Sequence, residues 1–230
     1  MSKSGKKHRE SKEEISSLEF NSNKEALEAV IKSAHVKFDE SIDADIVLGI
    51  DPSKGEQTVR GSVLLPHGTG KTVRVVVFAK GDHEEEATKA GADYVGADDL
   101  IEKIKGGWTE FDAAVATPDM MGAVGKVARI LGPRGLLPNK KVGTVTFNVA
   151  SIVSDLKKGR VSFRNDKGGV VHAPFGRVSF GAEKLLENLV VLINAVKTSK
   201  PPTAKGKYLR KIVVSSTMGS GVGIKPDEVL

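Results

Sequence analysis

The hydrophobic pattern of this chain changes period twice, and that double change limits what it can fold into more than any other feature. Ile42, Ala44, Ile46, Leu48 and Ile50 alternate with polar or mixed neighbours, which predicts a strand buried on one face only. Asp51-Pro52-Ser53-Lys54-Gly55 breaks it, and Val59, Gly61, Val63 and Leu65 suggest a second strand. From Gly68 the apolar runs become near-continuous, in Val73–Ala79 and Ala113–Ala116, with helices expected from about Glu84 to Ala90 and from Asp98 to Ile104 and a short strand at Tyr94-Val95. That alternation predicts a parallel sheet covered on both faces. Further helices are expected over Gly122–Leu131 and from about Ala150 to Lys157. Past Gly159 the earlier pattern returns. Val161–Arg164 and Val170–Ala173, joined by Asn165-Asp166-Lys167-Gly168-Gly169, predict a hairpin by turn chemistry. A helix through Leu185, Leu186, Leu189, Leu192, Ile193 and Val196, stopped by Pro201-Pro202, then leads to a strand over Tyr208–Ser216.

Antiparallel pieces on either side of a parallel block suggest one domain interrupted by another. The expected division is an antiparallel α+β domain in two pieces, 1–67 and 159–230, with an α/β domain, 68–158, inserted between neighbouring strands. The crossings near Pro66-His67-Gly68 and Lys158-Gly159 would act as a hinge. The alternative from pattern alone is a single continuous α/β domain with irregular ends. At the start, Lys3, Lys6, Lys7, Arg9 and Lys12 precede Ile15, Leu18 and Phe20 as a basic arm leading into a short helix. Asn23 is the expected cap of a helix through Ala26, Leu27, Val30, Ile31 and Ala34.

The absence of cysteine excludes disulfides, thiolate nucleophiles and Cys-ligated metal sites. No apolar run approaches the ~20 residues of a spanning helix, and the basic amino terminus lacks the apolar stretch of a secretory signal, so a cytoplasmic protein without membrane contact is expected. Thirty-five Lys and Arg against 29 Asp and Glu leave a net charge of +6, which favours a polyanionic partner. Aromatics make up only 5%, too few to advertise a base-stacking platform, so RNA recognition would rest on shape, phosphate and a few side chains.

Motifs for catalysis fail on inspection. Gly68-Thr69-Gly70-Lys71-Thr72 resembles the end of a phosphate-binding loop, but Leu65 stands where the leading glycine belongs and a strand follows where a helix is needed. Gly219-Ser220-Gly221-Val222-Gly223 begins like a dinucleotide fingerprint, yet Lys225-Pro226 follows, so a flexible or tightly turned segment is expected. His8, His35, His67, His83 and His172 show no ligand spacing, and no metal or cofactor is implied. The acidic pair Asp98-Asp99 and the run Glu84-Glu85-Glu86 sit where helices begin, which dipole complementarity explains. A nucleotide-using enzyme on the α/β block, and a scaffold that binds only protein, stay open as alternatives.

Basic residues recur in glycine-interspersed turns: Arg134 with Lys140-Lys141, Arg164 with Lys167, Arg177, and Lys205 to Lys211. Any one of them can be a solvated loop; together they suggest backbone that follows a phosphate chain.

The run Lys126-Val127-Ala128-Arg129-Ile130-Leu131-Gly132-Pro133-Arg134-Gly135-Leu136-Leu137-Pro138-Asn139 resembles the signature of the ribosomal protein L-one family. Ala34–Ser41, Leu48–Pro52, Gly159–Lys167 and Ser215–Gly219 agree with it, so the resemblance covers all but the first twenty residues and the last few. It implies a discontinuous α+β domain of split β-α-β type with an inserted Rossmann-like, three-layer α/β domain. It also implies a non-enzymatic constituent of the large ribosomal subunit that binds 23S rRNA at the mobile stalk near the E site, among other large-subunit components. Family members contact deacylated E-site tRNA as it leaves and repress translation by binding the mRNA of their own operon. Carried over, the family's RNA site falls on Lys37, Phe38, Glu40 and Ser41 with Thr217, Met218 and Gly219, and Asp166 and His172 in the hairpin are further candidates; the basic turns add Arg164 as an RNA-binding candidate and Arg134, Lys140 and Lys141 as candidates for secondary contact. Phe38 could be exposed to pack on a ribose or base, or could close the helix end as core. Thr217 and Gly219 could offer donors to 2′-OH groups, and Glu40 and Asp166 could accept from a 2′-OH or amino group.

Overall fold

The computed structural model describes residues 5–16, 20 and 22–226. Helix α1 (Lys6–Ser16) shows the basic stretch to be helical from Lys6, rather than an arm leading into a helix; Lys3 and Leu18 lie outside the described residues. In α2 (Asn23–Ser33) the cap is Ser22, whose hydroxyl accepts from Glu25 N at 3.3 Å. Asn23 is diverted from that expected role. Its side chain is buried, donating to Lys225 O and accepting from Lys225 N, both at 3.0 Å, and so ties the start of α2 to the chain at Lys225.

Strands β1 (Ser41–Leu48) and β2 (Arg60–Leu64) follow. The chain then builds β3 (Val75–Phe78), α3 (Asp82–Lys89), β4 (Tyr94–Gly96), α4 (Asp98–Lys105), β5 (Ala113–Ala116), α5 (Met121–Val124), α6 (Ala128–Leu131) and α7 (Val149–Lys158). It closes with β6 (Arg160–Arg164), β7 (Val170–Arg177), α8 (Ala182–Thr198), β8 (Leu209–Ser216) and β9 (Val222–Ile224). Chain contacts divide these into two compact units, one running to Gly70 and resuming at Val161, the other spanning Lys71–Arg160. The fold is a mixture of antiparallel and parallel sheets with helices.

In the first unit an antiparallel sheet has the order β7-β1-β8-β9. Alternation along β1 sends Ile42, Ala44, Ile46 and Leu48 into one core with Ala26, Leu27 and Val30 of α2 and Leu185, Leu189, Leu192, Ile193 and Val196 of α8. Ser41, Asp43, Asp45 and Val47 therefore occupy the opposite, partly exposed face. The Gly219–Gly223 segment is more ordered than its composition suggests: Val222 and Ile224 are buried, Gly223 pairs with Val213, and β9 becomes the sheet edge.

The hairpin expectation needs correction. The turn forms, with Asp166 N donating to Val170 O and Asp166 Oδ1 accepting from Gly168 N and Val170 N, all at 2.8 Å. The strands it joins then separate, β7 pairing with β1 and β6 with β2. The reason lies in Asn165, whose Oδ1 accepts from Val59 N at 2.8 Å while its N–H donates to Val59 O at 3.0 Å. These bonds draw β6 to β2 and leave a single bridge, Asn165 to Val171, between the hairpin arms.

In the second unit a parallel sheet has the order β4-β3-β5. Val76 and Phe78 of β3 pack with Leu100, Ile101 and Ile104 of α4, Val124 and Leu131, while Val75 and Val77 pack with Ala87 of α3 and Val149, Val153 and Leu156 of α7. One strand thus feeds two cores. The helix expected over Gly122–Leu131 is broken by a 3-10 turn at Gly125–Val127. Two glycines in its first turn weaken the α-helix, and three-residue periodicity in the break still places both Val124 and Val127 in the core.

Asn188 is fully buried in the middle of α8; its Nδ2 donates to Phe175 O at 2.8 Å and Gly68 O at 3.1 Å, and its Oδ1 accepts from His67 N at 3.1 Å. Replacing it with Ala would strand three backbone groups, so Asn188→Ala is expected to lower stability by about 1–3 kcal/mol. Urea unfolding checks this, and a loss below about 0.5 kcal/mol, the scatter of ordinary surface changes, would show that these bonds do not anchor the helix.

Candidate nucleic-acid interface

Because β1 and β8 run antiparallel with Ile42 opposite Ser216, the chain entering β1 meets the chain leaving β8. Ser41 N donates to Thr217 Oγ1 at 3.1 Å, Thr217 N donates to Ser41 O at 3.1 Å, and the Thr217 hydroxyl donates to the same oxygen at 3.3 Å. One residue back, Met218 N donates to Glu40 Oε2 at 2.9 Å. Lys37, Phe38, Glu40 and Ser41 thereby form one corner with Thr217, Met218 and Gly219. On its other side the turn is held by Asp39, which accepts from Ser179 N at 3.1 Å and Ser179 Oγ at 2.9 Å, and by Val178 N donating to Glu40 O at 3.0 Å.

This bonding sorts the corner residues by role. Glu40 is 1% exposed, so it braces the Met218 backbone from within and is not presented to a ligand. The Thr217 hydroxyl and the Gly219 N–H, which donates to Ser216 O at 3.2 Å, are likewise used inside the corner. A Cβ at Gly219 would meet the hydroxyls of Ser216 and Ser33, so a larger residue there would have to displace them. What the corner offers outward is Phe38, 56% exposed, Met218, 52% exposed, and the exposed cation of Lys37. Phe38 is therefore not a core residue. Gly5, Lys6 and His8 at the start of α1, with His35, line a groove beside Thr217, Met218 and Gly219.

A second group sits farther along the same face. Asp45 and His172 are paired across β1 and β7, with Nδ1 and Oδ1 2.6 Å apart, and Asp166 Oδ2 is 3.8 Å from Nε2. Ser41 and Asp45 are four residues apart on one strand, so about 13 Å separates this group from the corner. The Asp45 carboxylate, with help from Asp166, raises the His172 pKa above its ordinary 6.5 despite some opposing desolvation. The Asp166 pKa is lowered, first by the Val170 N–H and then by the Gly168 N–H and His172. Sequence motifs offer no sign of Asp45; its only cue is the polar phase of the β1 alternation, shared with Ser41 and Asp43.

Arg164 stands exposed at the end of β6, lining a groove with Pro52, Thr58, Asn165, Asp166 and Lys167. Arg134, Lys140 and Lys141 are exposed on the other compact unit, where Arg134 donates to Thr109 Oγ1. The Gly68–Thr72 loop runs through extended chain into β3, so no helix N-terminus faces a phosphate there. Among the described residues no cluster of acidic, histidine or cysteine side chains could hold a metal, and no helix is long and apolar enough to cross a membrane.

The model of the family described as "Ribosomal protein L1p/L10e family" matches residues 30–220. The large ribosomal subunit protein uL1 of Desulfosudis oleivorans is 52% identical over 226 residues, covering 98% of this chain and 97% of that protein.

A histidine whose pKa is raised in the folded state stabilises the fold below its unfolded value, about 6.5, and that contribution disappears as pH rises through the folded value. His172 is therefore expected to titrate above 6.5 by NMR, and Asp45→Asn should move it back toward 6.5 and remove its share of the pH dependence of stability between those two values. A His172 titration unchanged by Asp45→Asn would show that the 2.6 Å contact does not persist in solution.

Proposed function

Because the chain belongs to the ribosomal protein L1p/L10e family, we propose that it holds a structured segment of large-subunit rRNA on the corner formed by Lys37–Ser41 and Thr217–Gly219. It is a constituent of the large ribosomal subunit, works in translation, and is not an enzyme. The observation that carries the RNA reading is the placement of Phe38 and Met218: two large apolar side chains held in solvent on a base of hydrogen bonds, with Lys37 beside them. Such a surface suits unstacked bases and riboses, which an aromatic ring and an adaptable thioether can pack against. Arg164, Asp166 and His172 would extend the contact, with Asp166 and Asp45 as acceptors for 2′-OH or amino groups. Arg134, Lys140 and Lys141 are candidates for secondary contacts.

In this proposal the discontinuous domain, residues 1–67 and 159–230, grips 23S rRNA at the mobile stalk near the E site. The inserted Rossmann-like domain, 68–158, moves with the stalk and assists release of deacylated E-site tRNA. Binding to a similar structure in the mRNA of its own operon would make the protein a translational repressor.

A gel shift with a large-subunit rRNA stalk fragment tests the corner. Phe38→Ala and Met218→Ala are each expected to weaken binding by about tenfold, the order of one lost base contact, without lowering the melting temperature, because both side chains are exposed. Thr217→Val should weaken binding and also destabilise the fold by ~1 kcal/mol, since its hydroxyl is internal to the corner. Affinities of the two exposed variants equal to that of the parent protein would remove the corner from the RNA site.

A further inference from the structure

Among the described residues, three histidines are held against carboxylates: His67 by Glu187 at 2.5 Å, His83 by Glu86 at 3.1 Å and His172 by Asp45 at 2.6 Å. His8 and His35 stand apart from that pattern, and the fold brings them to one place. His8 lies in the first turn of α1 and His35 just beyond α2, yet both line the groove that Met218 also borders. Each ring turns its Nδ1 to a main-chain carbonyl, His8 to Met218 O at 3.5 Å and His35 to Ser33 O at 3.3 Å. An imidazole that donates from Nδ1 keeps its Nε2 lone pair for another partner, the arrangement common to metal-bound histidine. Met218 adds a thioether on a side chain that is exposed. Acidic, histidine and cysteine side chains alone assemble no metal-holding group among the described residues; the sulfur is the third donor that changes this.

We infer that His8, His35 and Met218 form a binding site for Cu(I). Two imidazole nitrogens and a thioether suit a soft monovalent ion, and no carboxylate lines the groove, which disfavours Ca²⁺ and Mg²⁺. The Lys6 ammonium, also beside the groove, lies 3.8 Å from Glu10 Oε1, so a counter-charge accompanies it. Competition within the chain is small, since it has no cysteine and Met120 is buried. A bound ion would occupy the Met218 thioether. Where the corner holds RNA, as proposed above, ion and RNA would therefore compete for that side chain; the competition rests on that reading, and the metal site does not.

The test titrates Cu(I) into the full chain without oxygen, against a colorimetric Cu(I) chelator. A single ion per chain is expected, with sulfur and nitrogen among its neighbours by X-ray absorption. Met218→Leu should remove the sulfur signal. His8→Gln and His35→Gln should each weaken binding by at least about tenfold, the loss caused even by removing a group that only supports a ligand, while His83→Gln should leave the affinity unchanged. None of the three ligand residues is buried, so the variants should melt with the parent protein in the absence of the ion. A sulfur signal that survives Met218→Leu, an affinity unmoved by either histidine change, or Zn²⁺ bound at these residues in preference to Cu(I) would overturn the site. Cu(I) held at about ten times its dissociation constant should weaken binding of the stalk fragment by about tenfold, as full competition requires. A fragment bound equally well with and without the ion would show that the ion leaves Met218 free, and would overturn the site too. Cu(I) binding by a protein that ignores the stalk fragment would support the site and refute the corner alone; fragment binding without Cu(I) binding would refute the site alone.

Discussion

The pairing of β1 between β7 and β8 is the constraint on which the rest of the first unit depends. It joins segments from opposite ends of the chain, and its register decides at once what is core and what is surface. With Ile42 opposite Ser216 and Asp45 opposite His172, every even residue of β1 from 42 to 48 enters the core and every odd residue faces away from α2 and α8. A slip of one residue would bury Asp43 and Asp45 and expose Ile42 and Ile46. It would also dissolve the corner, because the bonds of Ser41 with Thr217 and of Glu40 with Met218 exist only at this register.

That dependence makes the candidate RNA surface a product of sheet geometry more than of individual side chains. Asp39, Thr217, Gly219 and one carboxylate oxygen of Glu40 are spent on holding the turn, leaving Phe38, Met218 and Lys37 to face outward. Pre-organisation of this kind lets an exposed aromatic group meet a ligand without first paying to order a loop. The carboxylates of Asp45 and Asp166 beside His172 add acceptors on a chain of net charge +6, which suits discrimination among polar groups.

Much of the architecture could be read by counting. The alternation in Ile42–Ile50, the continuous runs of the parallel sheet and the pattern of α8 each placed an element within a few residues of its observed bounds, because the burial period of a strand or helix is written locally. The errors are equally physical. Asn165-Asp166-Lys167-Gly168-Gly169 has hairpin chemistry and does turn, but Asn165 binds Val59 and sends β6 to another sheet. Asn23 has the chemistry of a cap and is used instead to hold Lys225. Gly219–Gly223 looks like loose turn and ends in an edge strand, because Val222 and Ile224 find a core.

The sequence by itself determined the element types, the change from antiparallel to parallel packing, the absence of thiol chemistry and the family resemblance, since each depends on residue identity and near-neighbour spacing. Only the tertiary structure decided that Phe38 is exposed while Glu40 is sealed, that His172 meets Asp45, and that Asn165 meets Val59. Those facts arise from strand pairings between residues more than a hundred positions apart, and a distant pairing is selected by the free energy of the whole core, which no local window of sequence contains.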